Sequence, residues 1–351
     1  MTPERCLRLV WIQRIAFPAA MQFLSGLAAA LFLATAPTAR AQTALPIESP
    51  SFAGVIHDNE SNRCRQGSGF SPLVLRDISD HNLFRDDAVG LNFEHIFNGA
   101  KDQHRISMFT PRQDPCELTR VDHRTYKLHW PSAGSQWGLQ AEMVYDLSQP
   151  NQIDLHFSCT PTRDLFPQGY AAMMWASYIN RALDRRIHFW GTEADRTGWV
   201  AFGGTVGDTL ELGTVSCAGV DALPFEQGAQ ALNVNENPRK KFIAPFYYGV
   251  IDADRSSETD HDRLLYLMLF DQTDSIRFAM WNFFRNRQGE HDTHSPAWDW
   301  QYVIRDPIIG QRYGYRARVI VKPFSGREQV LKEYQRWARD LGKDLPEVKR
   351  E

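Results

Sequence analysis

Along most of the chain, apolar and polar residues alternate with a period of two. "QIDLHFSCT" at 152–160 sets Ile153, Leu155, Phe157 and Cys159 against Asp154, His156, Ser158 and Thr160, the pattern of a strand with one buried and one wet face. "SIRFAMWNFF" (275–284) places Arg277 and Trp281 opposite Phe278 and Met280. "HSPAWDWQYVI" (294–304) puts Trp298, Trp300 and Tyr302 on one side and Asp299 and Gln301 on the other. "YGYRARVIVKPF" (313–324) puts Arg316 and Arg318 on one side together with the preceding Arg312. "RLLYLMLF" (263–270) and "GYAAMMWASYI" (169–179) are apolar on both sides, as central strands covered on both faces are, although "AAMMWA" alone also fits a helix. Turn-forming clusters such as "SQPNQ", "GTEADRTG" and "DQTDS" separate the runs, so the pattern predicts a mainly β, antiparallel sandwich.

One helix is expected, at the C-terminus. Ser325 and Glu328 have capping-box spacing, and Val330, Tyr334, Trp337 and Leu341 follow at helical intervals, which predicts an apolar stripe laid on the sheet. The Gly- and polar-rich stretch from Gly203 to Asn237 reads as a long excursion from a single domain, since no repeat or low-complexity linker divides the chain.

The first residues read differently. Arg5, Arg8 and Arg14 precede an apolar run from about Leu24 to Ala34, and "ARA" at 39–41 offers small residues for cleavage. A signal peptide over 1–41 is expected, with export to the periplasm or the medium. The apolar run falls short of the roughly 20 residues that a membrane span requires, so no stable membrane anchor is expected. From Gln42 to Glu351 there are 35 basic and 41 acidic residues, a net charge of about −6. That balance argues against nucleic acid as a partner. The single tight basic run, "PRKK" at 238–241, reads as a solvated loop. Cys64, Cys116, Cys159 and Cys217 remain after the leader. An even count in an oxidising compartment predicts at least one disulfide, with three connectivities open, and the wide spacing does not fit a zinc site.

The familiar catalytic signatures are missing: no G-x-S-x-G, no H-E-x-x-H, no P-loop and no G-x-G-x-x-G after a strand. "EHDTH" (290–294) reads as a polar loop, and neither a metal nor a cofactor is expected. The candidate chemistry therefore rests on strand residues. Glu94 in "NFEHIFNG" and Asp299 are the best carboxylate pair, and His156 is an acid or base near neutral pH. Tyr178, Arg277, Arg316 and Arg318 are candidates to bind hydroxyls or carboxylates, and Trp298, at its strand's entry, to stack on a sugar face.

The succession "FEHIFNG", "FTPR" (109–112), "LHWP" (128–131), "PNQIDLHFSCTP", "FPQGYAAMMWASYIN", "SPAWDWQYVI" and "YGYRARVIVKPF" resembles a family of exported bacterial proteins. Their architecture is similar to the galactose-mutarotase-like β-supersandwich, and the resemblance runs from about Phe52 to Trp337. It implies a carbohydrate partner, because proteins of that architecture include sugar epimerases, polysaccharide lyases and accessory domains of glycosidases. The epimerases' N-x-x-H-x-Y-F-N-L segment is absent, and no catalytic residue is carried over from them.

Three readings of function follow. In the first, an enzyme acts on a polysaccharide or oligosaccharide: Glu94 and Asp299 hydrolyse it, or His156 or Tyr178 drives a lyase elimination while Arg277, Arg316 or Arg318 neutralises a uronate. In the second, a non-catalytic carbohydrate-binding or cell-surface protein uses its tryptophans as a platform. In the third, the sandwich is structural, and its polar strand faces share no cavity.

Overall fold

The computed structural model describes residues 42–348 apart from 61–66, 77, 80, 204, 207–208, 230–234, 254–262 and 282–294. The proposed leader and the "EHDTH" loop lie outside the described residues. The strands are β1 (Ala44–Pro46), β2 (Phe52–His57), β3 (Gly69–Leu75), β4 (Asn92–Phe97), β5 (Glu117–Arg120), β6 (Thr125–Trp130), β7 (Leu139–Asp146), β8 (Gln152–Pro161), β9 (Tyr170–Ala176) and β10 (Ile187–Glu193). After them come β11 (Arg196–Phe202), β12 (Thr205–Val206), β13 (Thr209–Leu210), β14 (Gly213–Ser216), β15 (Lys240–Phe242), β16 (Phe246–Asp252), β17 (Arg263–Phe270), β18 (Ile276–Trp281), β19 (Ala297–Arg305) and β20 (Tyr313–Pro323). Among the described residues there is one α-helix, α1 (Arg327–Leu341), after the last strand.

Two antiparallel sheets carry the architecture. The larger runs β11-β10-β16-β17-β20-β8-β7-β6-β5, with β15 also on β10, and the smaller runs β14-β18-β19-β9-β4. Their inner faces share one core. Phe157 of β8 meets Trp175 of β9 edge-on at 4.7 Å between ring centres, and Trp300 Nε1 donates to Tyr315 Oη at 2.8 Å, the interdigitation expected of a sandwich. The runs that are apolar on both sides prove to be covered twice. β17 turns Tyr266, Met268 and Phe270 to the core and Leu265, Leu267 and Leu269 to Val330, Tyr334 and Trp337 of α1. β9 turns Met173 and Trp175 inward and Ala172 and Met174 to a second apolar cluster outside.

Several expectations are corrected. α1 begins at Arg327, not in a Ser325–Glu328 capping box: its N-cap is Gly326 at φ 111°, and the Ser325 N–H donates to Gln329 Oε1 at 3.0 Å. Glycine alone enters that backbone region without strain, and this shifts the helix start. "PRKK" is not a solvated loop. Lys240 is buried and pairs with Glu211 at 2.8 Å, and Lys241 pairs with Glu236. Cys116, Cys159 and Cys217 are free, buried thiols, so the expected disulfide does not form among them; Cys64 is outside the described residues.

Candidate active site

The site is built on the outer face of the smaller sheet, and a β-bulge starts it. β4 pairs with β9 in register at Phe93↔Trp175, shifts, and resumes at His95↔Met174. The extra residue is Glu94. Such a bulge re-aims side chains: Phe93 stays inside, stacked on Trp175 at 4.8 Å, while His95 falls opposite Met174 of the outer cluster.

Glu94 is 3% exposed, and a buried carboxylate needs a partner. Arg112 supplies it, with Nη1 donating to Glu94 Oε1 at 2.5 Å. Arg112 is delivered by the tight turn Thr110–Arg112, whose Pro111 carbonyl accepts from Trp130 Nε1 at 3.0 Å and Asn59 Nδ2 at 2.8 Å. "FTPR" and "LHWP" thus have a local meaning: the tryptophan of the second fixes the turn of the first. Arg112→Met is expected to lower unfolding free energy by about 2–3 kcal/mol, because a charge-assisted bond is lost and Glu94 is left buried. Urea denaturation measures this, and a loss under about 0.5 kcal/mol would show that Arg112 does not hold Glu94.

Asp299 approaches from β19. It is 1% exposed, and its Oδ1 accepts from the Ser177 N–H at 2.9 Å. Ser177 is pinned in turn, its carbonyl accepting from Trp298 N at 3.0 Å and its Oγ from Leu91 N at 2.9 Å. Burial, and after it the negative charge of Glu94, pushes the Asp299 carboxyl well above the ordinary carboxylate range, against the bond from Ser177. The protonated acid is therefore the favoured form. One rung along, Gln301 and Arg277 face each other, with Met174 and His95 beyond on the same row.

The cluster reaches the surface at the 109–112 turn. Phe109 is 39% exposed, its ring meets His95 edge-on at 4.5 Å, and the Arg112 guanidinium lies 5.1 Å from its centre. Arg112 and Phe109 escaped the sequence reading. The available signal was an arginine directly after a Thr-Pro turn, shortly downstream of "FEHIF".

The other predicted residues scatter. Tyr178 bridges to Ala297 and packs on the outer cluster, so it stays on this side of the molecule. His156, Arg316 and Arg318 lie on the outer face of the larger sheet, away from Glu94 and Asp299. His156 sits opposite Arg316; burial first, then Arg316 and Arg312, hold its imidazole below the usual value, with Asp271 opposing. Arg318 grips Asp154 at 2.5 and 3.0 Å and Asp340 at 2.7 Å, over the Trp337 ring, and so clamps α1 to the sheet. Trp298 offers no face to a ligand: it is fully buried, and its Nε1 donates to the Arg185 carbonyl at 2.8 Å. An open groove of about 620 Å³ between α1 and the C-terminal segment, lined by Tyr334, Ala338 and Leu345 among others, also lies on the larger sheet's side. No group of three metal-ligating side chains is arranged to hold an ion among the described residues, and no described helix is long and apolar enough to cross a membrane.

No family model and no curated protein matches this sequence. Among solved structures, the chain is similar to a putative aldose 1-epimerase from Escherichia coli K12, at 10% identity and a TM-score of 0.43, over 80% of this chain and 99% of that one. It is similar to a galactose mutarotase-like protein from Lactobacillus casei at 9% identity and a TM-score of 0.43, over 80% and 100%. A third is an α-N-acetylgalactosaminidase from Bifidobacterium bifidum, at 12% identity and a TM-score of 0.35, over 65% and 30%.

Proposed function

We propose that the protein is an exported carbohydrate-active enzyme that hydrolyses a glycosidic bond, with Asp299 as general acid and Glu94, paired with Arg112, as the second carboxyl. One observation carries this reading: two buried carboxyls share a face in opposite environments, Glu94 against a guanidinium and Asp299 pushed towards its protonated form. That division is what glycoside hydrolysis asks of its two acids. Both are buried, so substrate reaches them only when their covering opens, and the exposed Phe109 and half-buried Arg112 mark the edge where a sugar ring would stack and enter.

Lyase elimination through His156 would pair it with Arg316, which lies opposite it on the larger sheet, a separate place from the carboxyl pair and from Arg277 on the smaller sheet. A tryptophan platform finds little support. Of the nine tryptophans beyond the leader, eight are buried, and the ninth, Trp199, carries Arg327 at 5.1 Å from its ring. The N-terminal basic and apolar pattern supports export. The purified protein is to be offered a panel of polysaccharides, reading reducing ends and the absorbance of unsaturated products. New reducing ends without unsaturated product are expected. Unsaturated product, or retention on an affinity gel with silence in both assays, would refute hydrolysis.

A further inference from the structure

Two arginines on the smaller sheet converge on a single acceptor. Arg277 of β18 lies opposite Gln301, and Arg305, at the end of β19, lies opposite Tyr170 of β9. Each donates Nη2 to the same carbonyl, that of Asp221, at 3.2 Å and 2.6 Å. Like charges brought this close repel unless an anion lies between them. The described anion at Arg277 is Glu236, at 3.1 Å, and Glu236 is already shared with Lys241 and the Ser216 hydroxyl. Arg277 and Lys241 thus share one buried carboxylate, while Arg305 meets Arg277 at the Asp221 carbonyl and the Asp221 residue is exposed to solvent.

The cluster is also short of acceptors. Arg277 is 2% exposed and Tyr170 is 1% exposed, yet Arg277 Nη1 and Tyr170 Oη have no hydrogen-bond partner among the described residues. Buried donors in native proteins are almost always satisfied, and each exception calls for an absent water, ion or ligand. The two groups are close enough to feel each other: Arg305 opposes the charge on Arg277, which burial and that repulsion push down to about 10. Both arginines also act on the Tyr170 hydroxyl. The backbone closes in on one side, where a Cβ on Gly99 would stand 2.2 Å from Tyr170 Oη, and the other side opens through the exposed Arg305.

We propose that Arg277, Arg305 and Tyr170 form a binding site for a carboxylate, and that its ligand is the uronate group of an acidic oligosaccharide. A flat two-oxygen acceptor matches the guanidinium fork and leaves room for a phenol donor. The site lies on the face that carries Glu94 and Asp299, displaced along β19: Arg277 stands opposite Gln301, two residues past Asp299, and Arg305 six residues past it, or about 7 to 20 Å of strand. It therefore serves a sugar unit other than the one undergoing cleavage. The assignment to a sugar acid rests on the proposed function, whereas affinity for carboxylate does not.

The test is thermal shift and calorimetry on the full chain, at ionic strength held constant with chloride, using oligogalacturonate, neutral galactose oligomers and acetate. Oligogalacturonate is expected to raise Tm saturably, and the neutral oligomers are not. Tyr170→Phe and Arg305→Gln should each weaken binding about tenfold or more. Tyr170→Phe should leave the ligand-free Tm unchanged, since the hydroxyl has no partner among the described residues to lose, and Arg305→Gln, which gives up one bond from an exposed side chain, should shift it only slightly. Asp299→Asn should bind as the parent does, which separates failure of this site from failure of the acid. No response to any carboxylate, or undiminished binding in both variants, would overturn the site. Acetate acting as strongly as the oligomer would overturn the sugar-acid assignment.

Discussion

Asp299→Asn is expected to lower turnover by about 10²–10⁴-fold, the range a positioned proton donor supplies, while the protein stays folded. The amide keeps an oxygen for the Ser177 N–H bond at 2.9 Å and removes the acidic proton. The stability of this variant carries a second signature. The Asp299 carboxyl is raised in the folded state by burial and by Glu94, so folded protein holds a proton that unfolded chain releases above about pH 3.9. Folding must therefore take up a proton, and stability falls as pH rises from there towards the folded value. Asparagine has no such cost. The variant should equal the parent in stability near pH 3 and exceed it by a margin that widens with pH. Urea titrations at several pH values read the margin directly, and a constant difference would mean that Asp299 is not raised. An assay on the active polysaccharide reads the other half: undiminished cleavage by Asp299→Asn would remove it as the acid.

Trp298→Ala is expected to cost about 3–5 kcal/mol of unfolding free energy, the range for deleting a fully buried aromatic. Trp298 packs on Tyr266, with ring centres 5.7 Å apart, and Tyr247 Oη donates to its carbonyl at 3.2 Å. Its indole occupies the space above Gly249, where a Cβ would lie 2.0 Å from Trp298 Cη2. Gly249→Ala alone should thus cost about 3 kcal/mol through overpacking, since the backbone there is one that alanine adopts freely. In the Trp298→Ala background the same methyl enters a void, and most of its cost should vanish, giving a coupling of about 2 kcal/mol. Independent, additive losses in the double variant would show that the two do not share that space. Because Trp298 N also fixes the Ser177 carbonyl, whose amide holds Asp299, the folded fraction of Trp298→Ala should lose activity along with stability.

Much of this was readable before folding. Alternation along 152–160, 275–284, 294–304 and 313–324 predicts strands close to β8, β18, β19 and β20, because a half-buried sheet imposes its period on any chain that forms it. The same alternation separates Asp299 from Trp298 and Trp300. It does not say which outer face Asp299 joins. His156 and Asp299 have the same local signal, yet β8 belongs to the larger sheet and β19 to the smaller, so the two point to opposite sides of the sandwich. The partner of Glu94 was hidden for another reason. A bulge breaks the parity that strand reading depends on, and Arg112 arrives from a turn with no periodicity at all.

The chain's own pattern thus determined the strands, the C-terminal helix and the chemical kinds of residue available for a site, because these depend on short-range periodicity and side-chain chemistry. Only the tertiary structure decided which of those residues meet. Strand order, one bulge and one anchored turn bring Glu94, Arg112 and Asp299 together, leave His156, Arg316 and Arg318 on the far sheet, and close Trp298 into the core. Those choices depend on contacts between segments distant in sequence, to which a period of two is blind.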